Sequence, residues 1–298
     1  MKNNEERRKK IFDAANRIKE QASGSAGKGF RVVITGKGGA GKTTTTAILS
    51  HLFAKEGYNV LAVDEDPQMN LPYAIGISKE EGDEIVPVTK NLDYVEEKVG
   101  ARPGEGWGLM LTLNPDVSDV VERFGIKGPD GINMLVMGTV VQAATGCLCP
   151  ENALLDAIVR YINLRRNEVI LMDTQAGVEH FGRALAQGFK HIVIVTDATF
   201  NSIQVAKHAA KLAKDIKIPY VYLLINRTHS EPDKDLQKVK NIMGNAMDTF
   251  NEVIELPYEE KLFNYEPNVM PLLDVNPPSL LVERLKKLQQ LLEKYDKQ

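Results

Sequence analysis

A glycine-rich segment with two lysines separates an apolar run from a run of helix-forming residues. It reads GKGGAGKTT from Gly36 to Thr44 and contains the spacing G-x-x-x-x-G-K-T. Glycines at this spacing let backbone N–H groups surround phosphate oxygens, and a helix N-terminus adds partial positive charge. Lys42 is expected to reach the β- and γ-phosphates of a nucleotide, and Thr43 to offer its hydroxyl to Mg²⁺. The predicted phosphate-binding residues are Gly38, Gly39, Ala40, Gly41, Lys42, Thr43 and Thr44.

The chain contains two cysteines, Cys147 and Cys149, in the segment GCLCP. A disulfide between such near neighbours is strained, and sparse cysteine use is typical of a reducing compartment. Two thiolates are too few for a tetrahedral metal site, but two copies related by a twofold axis supply four. Four thiolates suit Zn²⁺ or Ni²⁺, and they also ligate iron–sulfur clusters. The pair therefore predicts a metal shared between two subunits; the alternative is two small buried side chains without a metal.

Aspartates follow two apolar runs. VLAVDEDP places Asp64 and Asp66 after one predicted strand, and VILMD places Asp173 at the end of another. Because the carboxyl ends of parallel strands face the ligand crevice, we expect these carboxylates near the bound phosphates. Asp173 is expected to hold Mg²⁺ through water, since this ion keeps several waters. The alternative for each aspartate is a helix cap after the strand.

The residues after a later apolar run bear on the choice of base. The run ends in Asn226 and Arg227, and His229 stands where a guanine-specific site would carry an aspartate. We therefore favour adenine over guanine, with Asn226 and Arg227 as base-site residues; the alternative for Asn226 is a turn cap.

Apolar runs alternate with helical patterns along most of the chain. This alternation predicts an α/β fold, a P-loop NTPase with a mostly parallel sheet flanked by helices on both faces. We expect an N-terminal charged helix and Gly/Ser linker over residues 1–29, and a single ATPase domain over residues 30–298. The predicted strands are 31–35, 59–64, 133–137, 168–173, 191–196, 220–226 and 252–256. The predicted helices are 44–57, 152–166, 202–216, 235–250 and 279–297, with 80–130 irregular apart from short helices.

Composition narrows the class of protein. The 298 residues include 37 basic and 40 acidic side chains, a net charge of −3, so no basic excess favours nucleic acid or an anionic membrane. The hydrophobic content of 43% excludes a disordered chain. The N-terminal residues are charged without an apolar run behind them, and no apolar stretch approaches about 20 residues. We expect a cytoplasmic protein with neither nucleic acid nor membrane as partner.

The second lysine of the loop, Lys37, gives the segment a KGGAGKTT arrangement that resembles the deviant Walker A motif of the MinD, ParA and nitrogenase iron protein ATPases. The resemblance implies an ATP-bridged homodimer in which Lys37 acts in trans, like an arginine finger. It also implies that Asp66 orients the attacking water, that Asp64 lies beside the Mg²⁺ shell, and that DTQAG from Asp173 senses the γ-phosphate. The loop with Pro257 and Tyr258 resembles the one that closes the adenine pocket in these proteins.

Three further segments, LNPDVSD from Leu113, LVMGT from Leu135 and GCLCPENALL from Gly146, resemble the CooC family, as does MDTQAGVEHFGR from Met172. These ATPases mature the nickel sites of carbon monoxide dehydrogenase, and a sister group, AcsF, serves acetyl-CoA synthase. The resemblance covers about residues 30–290. It implies a homodimer that uses ATP, ADP and Mg²⁺ and that binds Ni²⁺ or Zn²⁺ through Cys147 and Cys149 of both subunits. The hypothesis is a metal-loading switch that assists nickel insertion into one of these two enzymes.

Three alternatives stay open from the sequence. The first is an iron–sulfur electron-transfer ATPase of the nitrogenase iron protein type, although that family places its ligand cysteines far apart. The second is a positioning ATPase of the MinD or ParA type that binds membrane or DNA, although the final helix mixes acids with its lysines. The third is an NTPase with structural zinc.

Overall fold

A computed structural model describes residues 29–102, 112, 115–138, 149–164, 168–176, 189–229 and 233–297. The predicted N-terminal helix, most of its linker and Cys147 lie outside the described residues. Cys149 is the first residue of a helix. No helix in the described ranges is both long enough and apolar enough to cross a bilayer.

Eight strands form one sheet, in the spatial order β3-β4-β2-β5-β1-β6-β7-β8. All neighbours pair in parallel except β3 and β4, which are antiparallel. The predicted mostly parallel sheet is confirmed, and only the two-residue edge strand β3 lies in a region predicted to be irregular. The strands are β1 Arg31–Gly36, β2 Val60–Asp64, β3 Ile126–Lys127, β4 Asn133–Val136, β5 Val169–Asp173, β6 His191–Thr196, β7 Tyr220–Thr228 and β8 Glu252–Pro257.

Helices cover both faces of the sheet, as predicted. The described helices are α1 Lys42–Lys55, α2 Leu71–Ile75, α3 Lys79–Asp83, α4 Leu92–Val99, α5 Val120–Phe124, α6 Cys149–Leu164, α7 Phe200–Asp215, α8 Lys234–Met243, α9 Glu260–Tyr265, α10 Met270–Leu273 and α11 Leu280–Asp296. Short 3₁₀ turns lie at Val88–Lys90, Pro129–Gly131 and Gly244–Thr249.

The core forms because the central strands are apolar on both faces. Every residue of β1, β2, β5 and β6 is buried, which is the pattern of a parallel sheet between two helical layers. One core contains Ile34 with Leu49 of α1 and Leu285 of α11. The other contains Val33 with Ile158 of α6. These two layers fix the carboxyl ends of the strands, where the predicted site residues lie.

Helix boundaries lie within one to three residues of the predicted ones except at one helix end. The helix predicted over 235–250 ends at Met243, because Gly244 adopts a φ of 56° and a 3₁₀ turn follows. Helix α6 begins at Cys149 rather than at Asn152. Since α6 joins the carboxyl end of β4 to the amino end of β5, its first residue lies on the side of the sheet that carries the glycine-rich loop.

Candidate nucleotide site

The glycine-rich loop turns tightly between β1 and α1. Gly41 has a φ of 106°, and a Cβ there would lie 2.2 Å from Nδ2 of Asn226, so a side chain at this position does not fit. The Lys42 ammonium folds back over the loop, with Nζ 3.4 Å from the carbonyl oxygen of Lys37. Burial lowers the pKa of Lys42, while the charges of Asp173 and Asp66 act in the opposite direction. The loop thus holds a buried cation at the N-terminus of α1, which suits phosphate.

Asp173 lies directly against the start of α1. Thr43 Oγ1 donates a hydrogen bond of 2.6 Å to Asp173 Oδ2, whereas the buried Oδ1 has no hydrogen-bond partner among the described residues. Burial raises the pKa of Asp173 to about 7, against the opposing effects of Thr43 and Lys42.

This pair fits the Mg²⁺ ion that nucleotide hydrolysis implies. A hydroxyl and a carboxylate with an unused buried oxygen are hard donors, and Mg²⁺ completes its shell with water and substrate phosphates. No group of three or more His, Cys, Asp or Glu side chains in the described ranges is placed to hold a metal. Thr43 and Asp173 are therefore suited to a site that the nucleotide completes.

Asp64 organises the loop that follows β2. Its Oδ1 accepts from the N–H of Asp66 at 2.9 Å, and its Oδ2 accepts from the N–H of Leu71 at 3.1 Å. Burial, together with the charge of Asp173, raises the pKa of Asp64 well above its usual range. Both oxygens hold backbone, so Asp64 shapes the loop that presents Asp66. Its place beside the Mg²⁺ shell stays a prediction.

Asp66 is half-buried in this loop, and its Oδ1 accepts from the N–H of Gln68 at 2.9 Å. The carboxylate lies close enough to Lys42 to act on the pKa of that lysine. The structure therefore brings Asp66 within electrostatic range of Lys42, and its role in orienting water stays a prediction.

The sequence prediction did not include Glu65. Its N–H donates to the carbonyl oxygen of Asp173 at 3.0 Å, and its Oε2 is buried without a hydrogen-bond partner among the described residues. Burial, with the charges of Asp173 and Asp66, raises the pKa of Glu65 to about 7. The available signal was a second acid directly after Asp64, where strand alternation directs it to the face opposite Asp64.

The end of β7 is tied to the glycine-rich loop. Asn226 Nδ2 donates to the carbonyl oxygen of Ala40 at 2.8 Å, and Asn226 Oδ1 accepts from the N–H of Arg227 at 2.9 Å. The backbone N–H of His229 donates a hydrogen bond to Asp235 Oδ2, and the ring Nδ1 of His229 bonds to the same oxygen. The amide of Asn226 therefore links the predicted base site to the phosphate site.

A cavity of about 300 Å³ opens beside this link, a volume within the range of small-ligand sites. The predicted Asn226, Arg227, Pro257 and Tyr258 all line it. Helix α9 also contributes Phe263, which the sequence prediction missed; its side chain is 75% exposed. The remaining lining residues are Gly41, Thr44, Thr45, Leu256, Glu259, Leu262, Glu266, Leu281 and Leu285. The cavity adjoins the phosphate loop through Gly41 and Thr44, as the base site of a nucleotide would.

Three residues, Lys37, Cys147 and Cys149, are predicted to act between subunits, and the structure describes two of them. Lys37 is half-buried within the loop, and among the described residues its ammonium has no ion-pair partner. Cys149 begins α6, and Cys147 lies outside the described residues. The trans role of Lys37 and the shared metal stay predictions.

Comparison with known proteins finds nucleotide-binding relatives, in agreement with the candidate nucleotide site. The family model described as CbiA, the CobQ/CobB/MinD/ParA nucleotide binding domain, matches residues 31–271. An uncharacterized ATP-binding protein of Methanocaldococcus jannaschii is 38% identical over 239 residues, 80% of this chain and 88% of that protein. The carbon monoxide dehydrogenase accessory protein CooC of Rhodospirillum rubrum is 36% identical over 233 residues, 78% of this chain and 85% of CooC.

Solved structures show the same fold at lower identity. The MinC:MinD cell division protein complex of Aquifex aeolicus matches with a TM-score of 0.60 and 22% identity, over 89% of this chain and 96% of that one. A ParA family ATPase of Chlorobium tepidum matches with a TM-score of 0.58 and 16% identity, over 87% and 98%. The glycine-rich loop, its strand-end aspartates and these relatives together make the chain a CooC-type ATPase of the CobQ/CobB/MinD/ParA nucleotide-binding family.

Proposed function

We propose that this chain is a homodimeric, ATP-driven metal-loading factor. Each subunit supplies Cys147 and Cys149 to a shared Ni²⁺ or Zn²⁺, and the dimer assists nickel insertion into carbon monoxide dehydrogenase or acetyl-CoA synthase. The observation that carries the proposal is the 36% identity to CooC, a carbon monoxide dehydrogenase accessory protein, over 78% of the chain. The presence of both cysteines in a single C-x-C segment supports it.

ATP hydrolysis is assigned to the residues at the carboxyl edge of the sheet. Lys42 binds the β- and γ-phosphates, and Thr43 with Asp173 holds Mg²⁺, the latter through water. The ion, when bound, neutralises phosphate charge and favours attack on the γ-phosphorus. Asp66 orients the water, whose oxygen bonds to the γ-phosphorus as the bond to the bridging oxygen breaks, so that ADP and phosphate leave.

The dimer completes both sites. Lys37, without an ion pair among the described residues, is assigned to the nucleotide of the partner subunit, where its charge stabilises the transferring phosphoryl group. A twofold axis beside the cysteine segment gives four thiolates, and the metal is cargo rather than a resident cofactor. Thiolates must be deprotonated to bind a metal, so affinity for nickel falls as the pH is lowered.

The remaining assignments follow from charge and from the extent of the family match. Residues 1–29 form a charged helix and linker appended to an ATPase domain that spans residues 30–298; the family match begins at residue 31. The net charge of −3 favours neither nucleic acid nor an anionic membrane as a partner. We propose that the protein acts in the cytoplasm.

The test is activation of a nickel-free client. Protein loaded with one Ni²⁺ per dimer is added to apo carbon monoxide dehydrogenase, and separately to apo acetyl-CoA synthase, with ATP or with ADP under anaerobic conditions. We expect ATP-dependent recovery of activity in one client, and loss of that recovery in Cys147→Ala/Cys149→Ala. Equal recovery from free Ni²⁺ alone would contradict the proposal, and a brown protein with visible absorption would favour an iron–sulfur ATPase.

A further inference from the structure

Strand β7 contains a bulge at its carboxyl end. Ile225 pairs with Glu255 and Thr228 pairs with Pro257, so β7 has one residue more than β8 between these two pairs. Bulges commonly lie beside active sites, where the extra residue redirects a side chain. The bulge in β7 contains Asn226, which is predicted from the sequence to contact the base.

The side chain of Asn226 bonds to the backbone of the bulge itself. Its Oδ1 accepts from the N–H of Arg227 at 2.9 Å, and Arg227 has a left-handed φ of 57°. A side-chain amide has an oxygen that accepts and an NH₂ group that donates. Because Oδ1 faces the N–H of Arg227, the amide is oriented with Nδ2 toward the glycine-rich loop.

Asn226 Nδ2 fixes one peptide unit of that loop. It donates to the carbonyl oxygen of Ala40 at 2.8 Å, and Ala40 is buried. The C=O of Ala40 and the N–H of Gly41 belong to one trans peptide unit and therefore point in opposite directions. The bond to Asn226 thus turns the Ala40 carbonyl oxygen toward β7 and the Gly41 N–H away from it.

The direction of this peptide unit matters to an anion. An N–H group attracts phosphate oxygens, whereas a carbonyl oxygen repels them. A peptide unit that is held in place before the ligand arrives does not have to be ordered on binding, which increases affinity. The buried ammonium of Lys42 lies 3.4 Å from the carbonyl oxygen of Lys37, so the loop combines a fixed backbone with a cation.

We propose that Asn226 is a positioning residue for the phosphate loop, and that it acts on the affinity for any polyphosphate ligand whether or not the ligand carries a base. A contact with adenine, by contrast, would act on nucleotides alone. The proposal rests on the assignment of the glycine-rich loop to phosphate, but it is independent of metal loading. A merely structural Asn226 would stabilise the fold without changing the affinity for phosphate.

Inorganic pyrophosphate carries two phosphate groups without a base, so it separates the two roles. We would titrate the full chain with ADP by calorimetry in the presence of Mg²⁺, and measure pyrophosphate by its competition with ADP. In Asn226→Ala the Kd values for ADP and for pyrophosphate should rise by the same factor, about five- to tenfold, the effect of one lost hydrogen bond. A rise for ADP alone would show that Asn226 contacts the base, and it would overturn the proposal.

Two variants provide matched controls. Asn251→Ala removes an amide at the opposite end of β7, where Asn251 Oδ1 accepts from the N–H of Val221 at 2.7 Å, and both Kd values should stay within about twofold. Phe263→Ala removes a ring from the cavity of the base site, so it should raise the Kd for ADP and leave that for pyrophosphate unchanged. An equal rise for both ligands in Asn251→Ala would show that any damage to β7 has this effect, and it would overturn the proposal.

Asn226→Asp provides a second test if urea unfolding shows that Asn226→Ala does not fold. It keeps the size of the side chain and the acceptor for Arg227, but it places an oxygen against the carbonyl oxygen of Ala40, so both Kd values should rise at least as far. Pyrophosphate that does not compete with ADP in the natural chain would contradict the assignment of the loop to phosphate, and this role with it. Competition in the natural chain, with an unchanged Kd for pyrophosphate in the Asn226 variants, would overturn the role of Asn226 alone.

Discussion

The carboxylate of Asp173 ends β5 with one oxygen bonded to Thr43 and the other buried without a partner. Asp64 is buried beside it, Glu65 is half-buried with a buried Oε2, and burial raises the pKa of all three acids. Three carboxylates withdrawn from water are unfavourable unless a cation or a proton compensates them. The buried negative charge therefore favours a cation that binds together with the nucleotide. For this reason we propose Asp173 and Thr43 as the Mg²⁺ residues.

Asp66 is the residue to test for hydrolysis. Asp66→Asn keeps an oxygen that accepts from Gln68 but removes the charge that orients the attacking water. We expect phosphate release to slow by about 10²-fold or more, the scale of a lost acid–base residue, while ADP still binds. Asp197→Asn is the control, since Asp197 also follows a strand and its Oδ1 caps the N–H of Thr199. A less than tenfold effect of Asp66→Asn, or equal slowing in both variants, would contradict the assignment.

Phe263 is the residue to test for base binding. Its ring lines the cavity beside Tyr258 and is largely exposed, so a bound base would cover it. Loss of such a ring contact in Phe263→Ala should raise the Kd for ADP about tenfold. Phe200→Ala removes another exposed ring, 59% against 75% for Phe263, that does not line this cavity and should leave the Kd within about twofold. Calorimetric titration measures both, and an unchanged Kd in Phe263→Ala would exclude the ring from the base site.

At the element scale, the strands could be predicted because each central one is a short apolar run, and all seven predicted strands are present. The short helices α9 and α10 were missed, since four to six residues carry too little periodicity to identify a helix. That omission explains why Asn226, Pro257 and Tyr258 were proposed for the base site and Phe263 was not. Glu65 was missed for another reason, because the burial of a single carboxylate depends on how the next strand packs.

His191, the first residue of β6, is expected to make the free energy of unfolding fall at acid pH. His191 is fully buried, its Nδ1 bonds to the Tyr222 hydroxyl at 3.0 Å, and its ring stacks on Tyr220. Burial and the charge of Lys190 lower the pKa of His191 to about 3. The unfolded chain, whose histidine titrates near pH 6.5, therefore binds more protons between pH 6.5 and 3. The contribution of neutral His191 to the free energy of unfolding is therefore complete above about pH 6.5 and is lost as the pH falls. The loss amounts to about 1.4 kcal/mol between pH 7.5 and 5.5.

Urea unfolding at these two pH values tests the contribution. His191→Phe keeps an aromatic ring but cannot titrate, so its free energy of unfolding should fall by about 1.4 kcal/mol less than that of the natural chain. It loses the bond to Tyr222 at both pH values, and that loss cancels in the comparison. His208→Asn, at an exposed position on α7, should behave as the natural chain does. An identical pH dependence in His191→Phe would show that His191 is not held neutral by burial.

At the scale of the whole molecule, one chain presents half of each proposed dimeric site. A second copy of the chain explains both Lys37 and the C-x-C pair. In the proposed dimer, Lys37 reaches the nucleotide of the second copy, and the two C-x-C pairs together supply four thiolates. Sequence similarity to CooC shows an ATPase of the same superfamily, and the dimeric arrangement is our proposal. The fold could be predicted from local patterns, and the nucleotide residues stay a prediction from them; the relation between subunits could not be predicted, because it depends on surfaces that pair only in the assembly.

The central claim is a metal shared by two chains and governed by nucleotide. Anaerobic titration of the reduced protein with Ni²⁺, in the apo state, with ADP and with a non-hydrolysable ATP analogue, tests it most directly when the mass of the assembly is recorded in each state. The account predicts one Ni²⁺ per two chains, an affinity that changes with nucleotide, and no such binding in Cys147→Ala/Cys149→Ala. Nickel binding that survives the loss of both cysteines, or one Ni²⁺ per chain with the same affinity in every nucleotide state, would contradict it.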